Sequence, residues 1–230
     1  MEYAAQPPVA VAREDSGFLQ RVFLWMFVGL AITGGVAAAI GSSDQLLTDI
    51  TESPGIIIGV IVVQLGIVFG ISFLINRISV GLATVLFLIY SATVGITFAF
   101  IFELYTTQSI FTTFLITAGM FGALAVWGAV TDIDLSKVGS IAFMALIGLI
   151  LATVVNIFWA NSTLYWITTY AGVLIFAALT AYDMQKLKQI GQQGLTGEAE
   201  GRAAILGALS LYLDFINLFL FLLRIFGQQR

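Results

Sequence analysis

Asp214 stands in the middle of the apolar run AAILGALSLYLDFINLFLFLLRIF, Ala203 to Phe226. It lies about eleven residues from either end of a segment long enough to cross a bilayer, and so roughly 15 Å from water by helical rise. A carboxylate at that depth costs about 2.5–3.5 kcal/mol on insertion scales and is seldom kept without a use. On a helix Ser210 falls at i−4 from it, Gly207 at i−7 and Asn217 at i+3, so one narrow stripe carries the small and polar residues. Such a stripe belongs against protein or a water-filled cavity, with the Leu, Ile and Phe face turned to other helices or lipid.

A second carboxylate, Asp183, closes the preceding apolar run in LTAYDMQKLK, beside Lys186 and Lys188. Read alone it is a solvated helix terminus; read with Asp214 it is half of an acid pair. Arg77 follows Asn76 in a very short link and is expected at the same membrane level as Asp183. An ion pair between them stands open beside plain snorkelling toward headgroups. Two acids on neighbouring spans also raise intramembrane aspartyl proteolysis. Tyr182-Asp183 suits one half of that chemistry, but Asp214 follows Leu211-Tyr212-Leu213 where glycines should admit a substrate strand, and no Pro-Ala-Leu element occurs. The chain is not expected to be an enzyme. Gln64, Asn156 and the Tyr90, Thr93, Thr97 stripe could line a polar path, or equally serve as interhelical glue worth under about 1 kcal/mol each. Glu103 reads as a solvated cap.

The elements that must hold these groups follow from composition. Of 230 residues 60% are hydrophobic and only 10% charged, against about 25% charged in soluble domains. Seven apolar runs of membrane-spanning length predict an all-α integral membrane bundle: Val22 to Gly41, Gly55 to Ile75, Val80 to Phe102, Ile110 to Val130, Gly139 to Phe158, Thr163 to Tyr182 and Ala203 to Phe226. Residues 1–20, with Pro7 and Pro8, read as a disordered tail, and 21–230 as a single transmembrane domain. Cysteine and histidine are absent, which removes thiol nucleophiles, Ser-His-Asp machinery and Cys or His metal sites, so proton chemistry near neutrality must use displaced carboxylates. No cofactor is expected. A net charge of −4 gives no basic surface for nucleic acid.

With the N-terminus inside, the outer side receives only Arg224 and Arg230, and every other base falls inside. The positive-inside bias therefore predicts N-in and C-out. Trp25 and Trp127 then fall at inner ends, and Trp159 and Trp166 at outer ones. Gly55, Gly59, Gly66 and Gly70 form two GxxxG spacings in the second run, and Gly119 and Gly122 thin the fourth; these are the expected points of close helix approach, or simply the glycine usual in membrane helices.

Ser210-Leu-Tyr-Leu-Asp-Phe-Ile-Asn-Leu-Phe219 followed by Leu222-Leu-Arg224, with Ala181-Tyr-Asp-Met-Gln-Lys186, resembles the signature end of the Bax-inhibitor family. Tyr90-Ser-Ala-Thr-Val-Gly-Ile-Thr97 is similar to its third span, and Phe18-Leu-Gln-Arg-Val-Phe through Gly29-Leu30 to its first. The resemblance implies a seven-helix bundle with the C-terminal helix central and a pH-sensitive calcium leak. It also implies a proton-sharing pair at Asp183 and Asp214, with Arg77 competing for one of them. Asp214 and Asp183 are then the carboxylates a calcium ion would meet. An acid found in the second span of some members has no counterpart here, where Gln64 and Gly66 stand, which puts conduction in question. Ser210, Asn217, Gln64, Tyr90 and Thr97 become candidate lining. Two other functions fit the same residues: a regulator that binds other membrane proteins such as a protease or translocase, and a proton-coupled solute carrier. A bacterial cytoplasmic membrane is the expected location, with the lipid bilayer and calcium ions as partners.

Overall fold

The structure is a computed structural model that describes residues 8–230, with side chains from Gly17 onward apart from Asp44, Thr51 and Pro54. The described chain forms α1 (Pro8–Gly41), α2 (Asp44–Thr51), α3 (Pro54–Leu74), α4 (Val80–Leu104), α5 (Thr107–Val130), α6 (Ser136–Trp159), α7 (Ser162–Gly191) and α8 (Gly197–Phe226). Seven of these, all but α2, are long and apolar enough to cross a membrane. The all-α membrane class and the apolar core of every expected span are therefore present.

The ends differ in four places, each for a local reason. The expected tail lies partly outside the described residues, at 1–7, and from Pro8 the chain is already helical; proline in a first turn gives up only an N–H that has no helical partner. The loop at Ser42 to Pro54 contains the unexpected α2, whose N-cap Ser43 accepts the Leu46 N–H at 3.4 Å. α7 runs on past Tyr182 to Gly191, because Ala181, Met184 and Leu187 keep a buried helical spacing through the charged stretch. Asp183 therefore sits inside a helix and does not close one. α8 starts at Gly197, with Glu198 and Glu200 in its first turn and Arg224 in its last, the arrangement the helix dipole favours.

The chain divides into two compact units. The first takes Met1–Glu103 with Leu187–Leu209. In it α1 packs closely on α4: a Cβ at Gly29 would lie 2.6 Å from the Phe87 ring, one at Gly95 would lie 2.8 Å from the Thr33 carbonyl, and the Thr33 hydroxyl donates to Ser91 O at 2.8 Å. The expected GxxxG pairs behave otherwise. An added Cβ at Gly55, Gly59, Gly66 or Gly70 meets nothing within 4 Å, and the same holds for Gly119 and Gly122 of the second unit. Glycine spacing permits close approach, but lipid can fill the groove instead.

The second unit takes Leu104–Lys186 with Ser210–Arg230. Here α5 grips the latter half of α8 through Phe215, which meets Phe114 and Phe121 edge-on at 5.4 Å each. α7 grips it through Phe221, which stacks on Phe176 at 5.9 Å and lies flat over Gly172. Gly128 backs onto the Ala181 carbonyl and Gly139 onto the Tyr182 ring, so both approaches to α7 depend on a missing Cβ just before Asp183.

Past α8 the chain is tied down by an isolated antiparallel β-bridge. Thr106 N–H donates to Gln228 O at 3.0 Å, and Arg230 N–H to Leu104 O at 3.1 Å, pairing Tyr105 with Gln229. The Arg224 guanidinium lies 5.3 Å from the Tyr165 ring centre and 5.1 Å from that of Phe221. Burial raises the Tyr105 phenol above its ordinary value, with the neighbouring Tyr165 adding to this, while its bond to Gln229 and the charge of Arg224 oppose it. The C-terminus thus sits at the same end of the second unit as the α4–α5 link and the start of α7. Within the second unit the end of α8 therefore lies beside the start of α7, and α8 is long and apolar enough to cross a membrane.

Two outcomes follow from this packing. Gly128→Ala places a methyl against backbone and is expected to lower stability by about 1–3 kcal/mol, whereas Gly59→Ala, in open space, changes it by under about 0.5 kcal/mol; thermal unfolding of the two variants in detergent makes the comparison. Arg224→Gln removes a cation from two rings, a loss of about 0.5–2 kcal/mol. Hydrogen exchange should then quicken at Leu222 to Phe226 and stay unchanged in α1.

Candidate functional site

The residues singled out by their chemistry fall into both units. Asp183, Asp214 and Asn217 lie in the second, with Ser210 at its boundary; Arg77, Gln64, Tyr90 and Thr97 lie in the first.

α8 carries Asp214 into the most enclosed stretch of the molecule. In its most apolar window 72% of α8 is buried, against 11% for α3 and α6. Asp214 itself is 4% exposed, and its Oδ2 has no hydrogen-bond partner. Tyr212 and Leu211 before it and Phe215 after it are also buried, so the carboxyl is enclosed by the packing that makes α8 stable. The polar stripe on α8 does not serve it directly: Asn217 turns back on its own helix and donates to Leu213 O at 2.7 Å.

Asp183 is partly exposed on α7, one residue past the Tyr182 ring that fills the space beside Gly139. It is the charged neighbour of Asp214, and Lys186, one turn further along α7, is the charged neighbour of Asp183. Two residues on, Gln185 is buried and works as a strut. Its Nε2 donates to Ile133 O at 2.8 Å, and its Oε1 accepts the Leu135 N–H at 2.9 Å, tying α7 to the α5–α6 link. In that link Asp134 Oδ1 accepts the Ser136 N–H at 2.9 Å, and its bonds to Ser136 hold the carboxyl below the usual range. Gln185 was visible in the sequence only as a polar residue on the apolar phase of an extended α7, a phase that hydropathy alone broke off at Tyr182.

Arg77 is the expected ion-pair partner of Asp183, and Gln64, Tyr90 and Thr97 are the other expected lining residues. Arg77 is exposed in the turn after α3, its N–H bonded to Leu74 O at 2.8 Å. Thr97 Oγ1 donates to Val94 O at 2.7 Å, and Tyr90 is buried in α4. Gln64 Nε2 is buried with no partner. Asn156 is a cap and not a path residue: its Oδ1 accepts the Asn161 N–H at 2.9 Å where α6 ends in a left-handed Ala160. What sequence reasoning missed is a file of hydroxyls on α5. Ser109, Thr113 and Thr117 recur every fourth residue, all are buried, and Thr113 Oγ1 has no partner. The spacing TxxxT was the available signal.

Among the described residues no three acids gather in a group that could hold a metal ion. What α7 and α8 offer a cation in the second unit is the carboxylates of Asp183 and Asp214, with hydroxyl and carbonyl oxygens as the remaining donor types.

Residues 15–230 match the family described as inhibitor of apoptosis-promoting Bax1. The inner membrane protein YbhL of Escherichia coli K12 is 46% identical over 215 residues, covering 93% of this chain and 92% of its own. A Borreliella burgdorferi protein is 43% identical over the same shares of both chains. A Streptococcus pyogenes membrane protein is 37% identical over 186 residues, 81% of this chain and 80% of its own. With seven apolar helices and a match across nearly its whole length, this chain belongs to the Bax-inhibitor family of integral membrane proteins.

Proposed function

We propose that this protein is a pH-gated cation leak, with Asp183 and Asp214 sharing one proton as its gate and calcium as its cargo. The observation that carries the reading is the bare Oδ2 of Asp214, buried beside a second carboxyl. A lone ionised oxygen in that setting is costly, and two are worse, because like charges in a low-dielectric site cannot both ionise cheaply. A proton shared between the two acids supplies the missing donor, and the resulting O–H···O⁻ bond is of the short, strong kind. It then ties α7 to α8 inside the second unit. When pH rises and the proton leaves, attraction turns to repulsion between two helices already held apart by ring contacts and not by backbone. The freed carboxylates then face the path and draw in a hard cation.

The bacterial cytoplasmic membrane is the proposed site of action, following the printed description of YbhL. The bias of Lys and Arg orients the chain with its N-terminus inside and its C-terminus outside.

A second reading, a regulator that works by contact with another membrane helix, is favoured by one observation. The four glycines of α3 all face open space, leaving a smooth groove along a helix whose other residues are apolar but for Gln64 and Ser72.

Calcium flux from proteoliposomes, followed between about pH 5 and pH 8, separates the two. The leak should rise with pH in the wild type, and Asp183→Asn and Asp214→Asn should flatten that dependence, shifting flux at the extremes by about tenfold, the worth of one pKa unit. Equal and pH-independent flux in all three proteins would remove the acid pair from the mechanism and leave the contact reading standing.

A further inference from the structure

We infer that a cleft in the first unit is a binding site for a zwitterionic phospholipid headgroup, one carrying a primary ammonium and a phosphate. The cleft lies between the start of α1 and the link from α7 to α8, and its volume is about 260 Å³. That is just below the ~300 Å³ at which pockets for drug-sized ligands begin, a size suited to a headgroup.

One wall is apolar, made by Phe18, Ile190 and Leu195, with Phe18 fully packed behind it. The rim is kept low by glycine. A Cβ at Gly17 or Gly194 meets nothing within 4 Å, and Gly194 takes φ +63° to turn the link back toward Thr196.

Charge selects the ligand. Arg21 NH1 lies 3.1 Å from Glu200 Oε2, and both side chains line the cleft, Arg21 57% exposed and Glu200 18%. A guanidinium has five N–H donors in a planar fork and a carboxylate about four acceptor positions, so one mutual contact leaves both with capacity toward the cleft. A simple anion there would meet Glu200, and a simple cation would meet Arg21. A ligand with both charges satisfies both residues: its phosphate on Arg21, with the Thr196 hydroxyl as a further donor, and its ammonium on Glu200.

Depth selects the lipid. Arg21 directly precedes the apolar run from Val22, and Glu200 stands just before the one from Ala203. Both therefore sit at the boundary where headgroups lie, with apolar helix surface leading away from the cleft for acyl chains. The acid pair belongs to the other unit, so this site stands or falls independently of the leak.

The test uses the full-length protein in nanodiscs of phosphatidylethanolamine and phosphatidylglycerol in equal amounts, with retained lipid counted by native mass spectrometry. The wild type should retain phosphatidylethanolamine over phosphatidylglycerol by about tenfold, as one charge-assisted bond supplies. Gly17→Leu fills the cleft with a better helix former, so it should stay folded, as its melting temperature will report, and lose the preference. Glu200→Gln keeps Arg21 for the phosphate and should move the preference toward phosphatidylglycerol. Soluble phosphoethanolamine should displace the lipid only in large excess, and inorganic phosphate not at all. Three results would overturn the proposal: no headgroup preference in the wild type, a preference untouched by Gly17→Leu, or displacement by inorganic phosphate, which would mark a plain anion site. Displacement by stoichiometric phosphoethanolamine would overturn the lipid and assign the cleft to a free solute.

Discussion

A helix that crosses a membrane offers its side chains spare acceptors and no spare donors. Each backbone N–H in its interior is already given to a carbonyl four residues back, while that carbonyl keeps a second lone pair. Hydroxyls and amides use this freely. Thr84, Thr117, Thr153, Thr168, Thr169 and Thr180 all donate to the carbonyl at i−4, and Asn217 does the same with its amide. A carboxylate has nothing to donate and finds nothing to accept, so it is the one polar group a spanning helix cannot satisfy by itself. Asp214 is that group, and its Oδ2 is bare within the described residues.

The second unit is arranged around that deficit. The ring contacts of Phe215 and Phe221 enclose α8 just after Asp214 without meeting its polar requirement. The β-bridge after α8 and the Arg224 stack fix its far end. On α7 the Gln185 strut anchors the turn that bears Asp183 to the α5–α6 link. One carboxyl is thus held by packing and the other by a polar brace. Under the proposed function, a proton between them would add a polar tie to the ring contacts that already join α7 to α8 in this unit.

Span count and span length were readable because hydropathy measures distance from water, and α3, α4 and α5 match their expected runs to within a few residues. Which face of a span meets protein was not, because lipid tails are as apolar as leucine. α3 and α6 show it best: each is apolar on all sides, and each is mostly uncovered. The same blindness misplaced the close approaches. Gly55, Gly59, Gly66 and Gly70 have the right spacing and open surroundings, while Gly29, Gly95, Gly128 and Gly139, with no such pattern, carry the tight contacts. Asp214 was legible from its depth alone. Gln185 and the cap at Asn156 were not, since their meaning lies in where a helix ends, and a charged but periodic stretch such as Asp183 to Lys188 hides that end.

The scarcity of acids also bears on what kind of cation site this bundle can build. A resident calcium ion takes six to eight oxygens, usually with several carboxylates among them. The pair on α7 and α8 supplies two, and among the described residues no third acid joins a group of them. Hydroxyls such as the unpartnered Thr113 and helix carbonyls with spare lone pairs can supply the remaining oxygens, but these carry no charge and bind weakly. Conduction demands that balance, an attraction strong enough to admit an ion and too weak to keep it. Under the proposed function, a pair of acids whose second charge exists only when a proton has left would meet that demand.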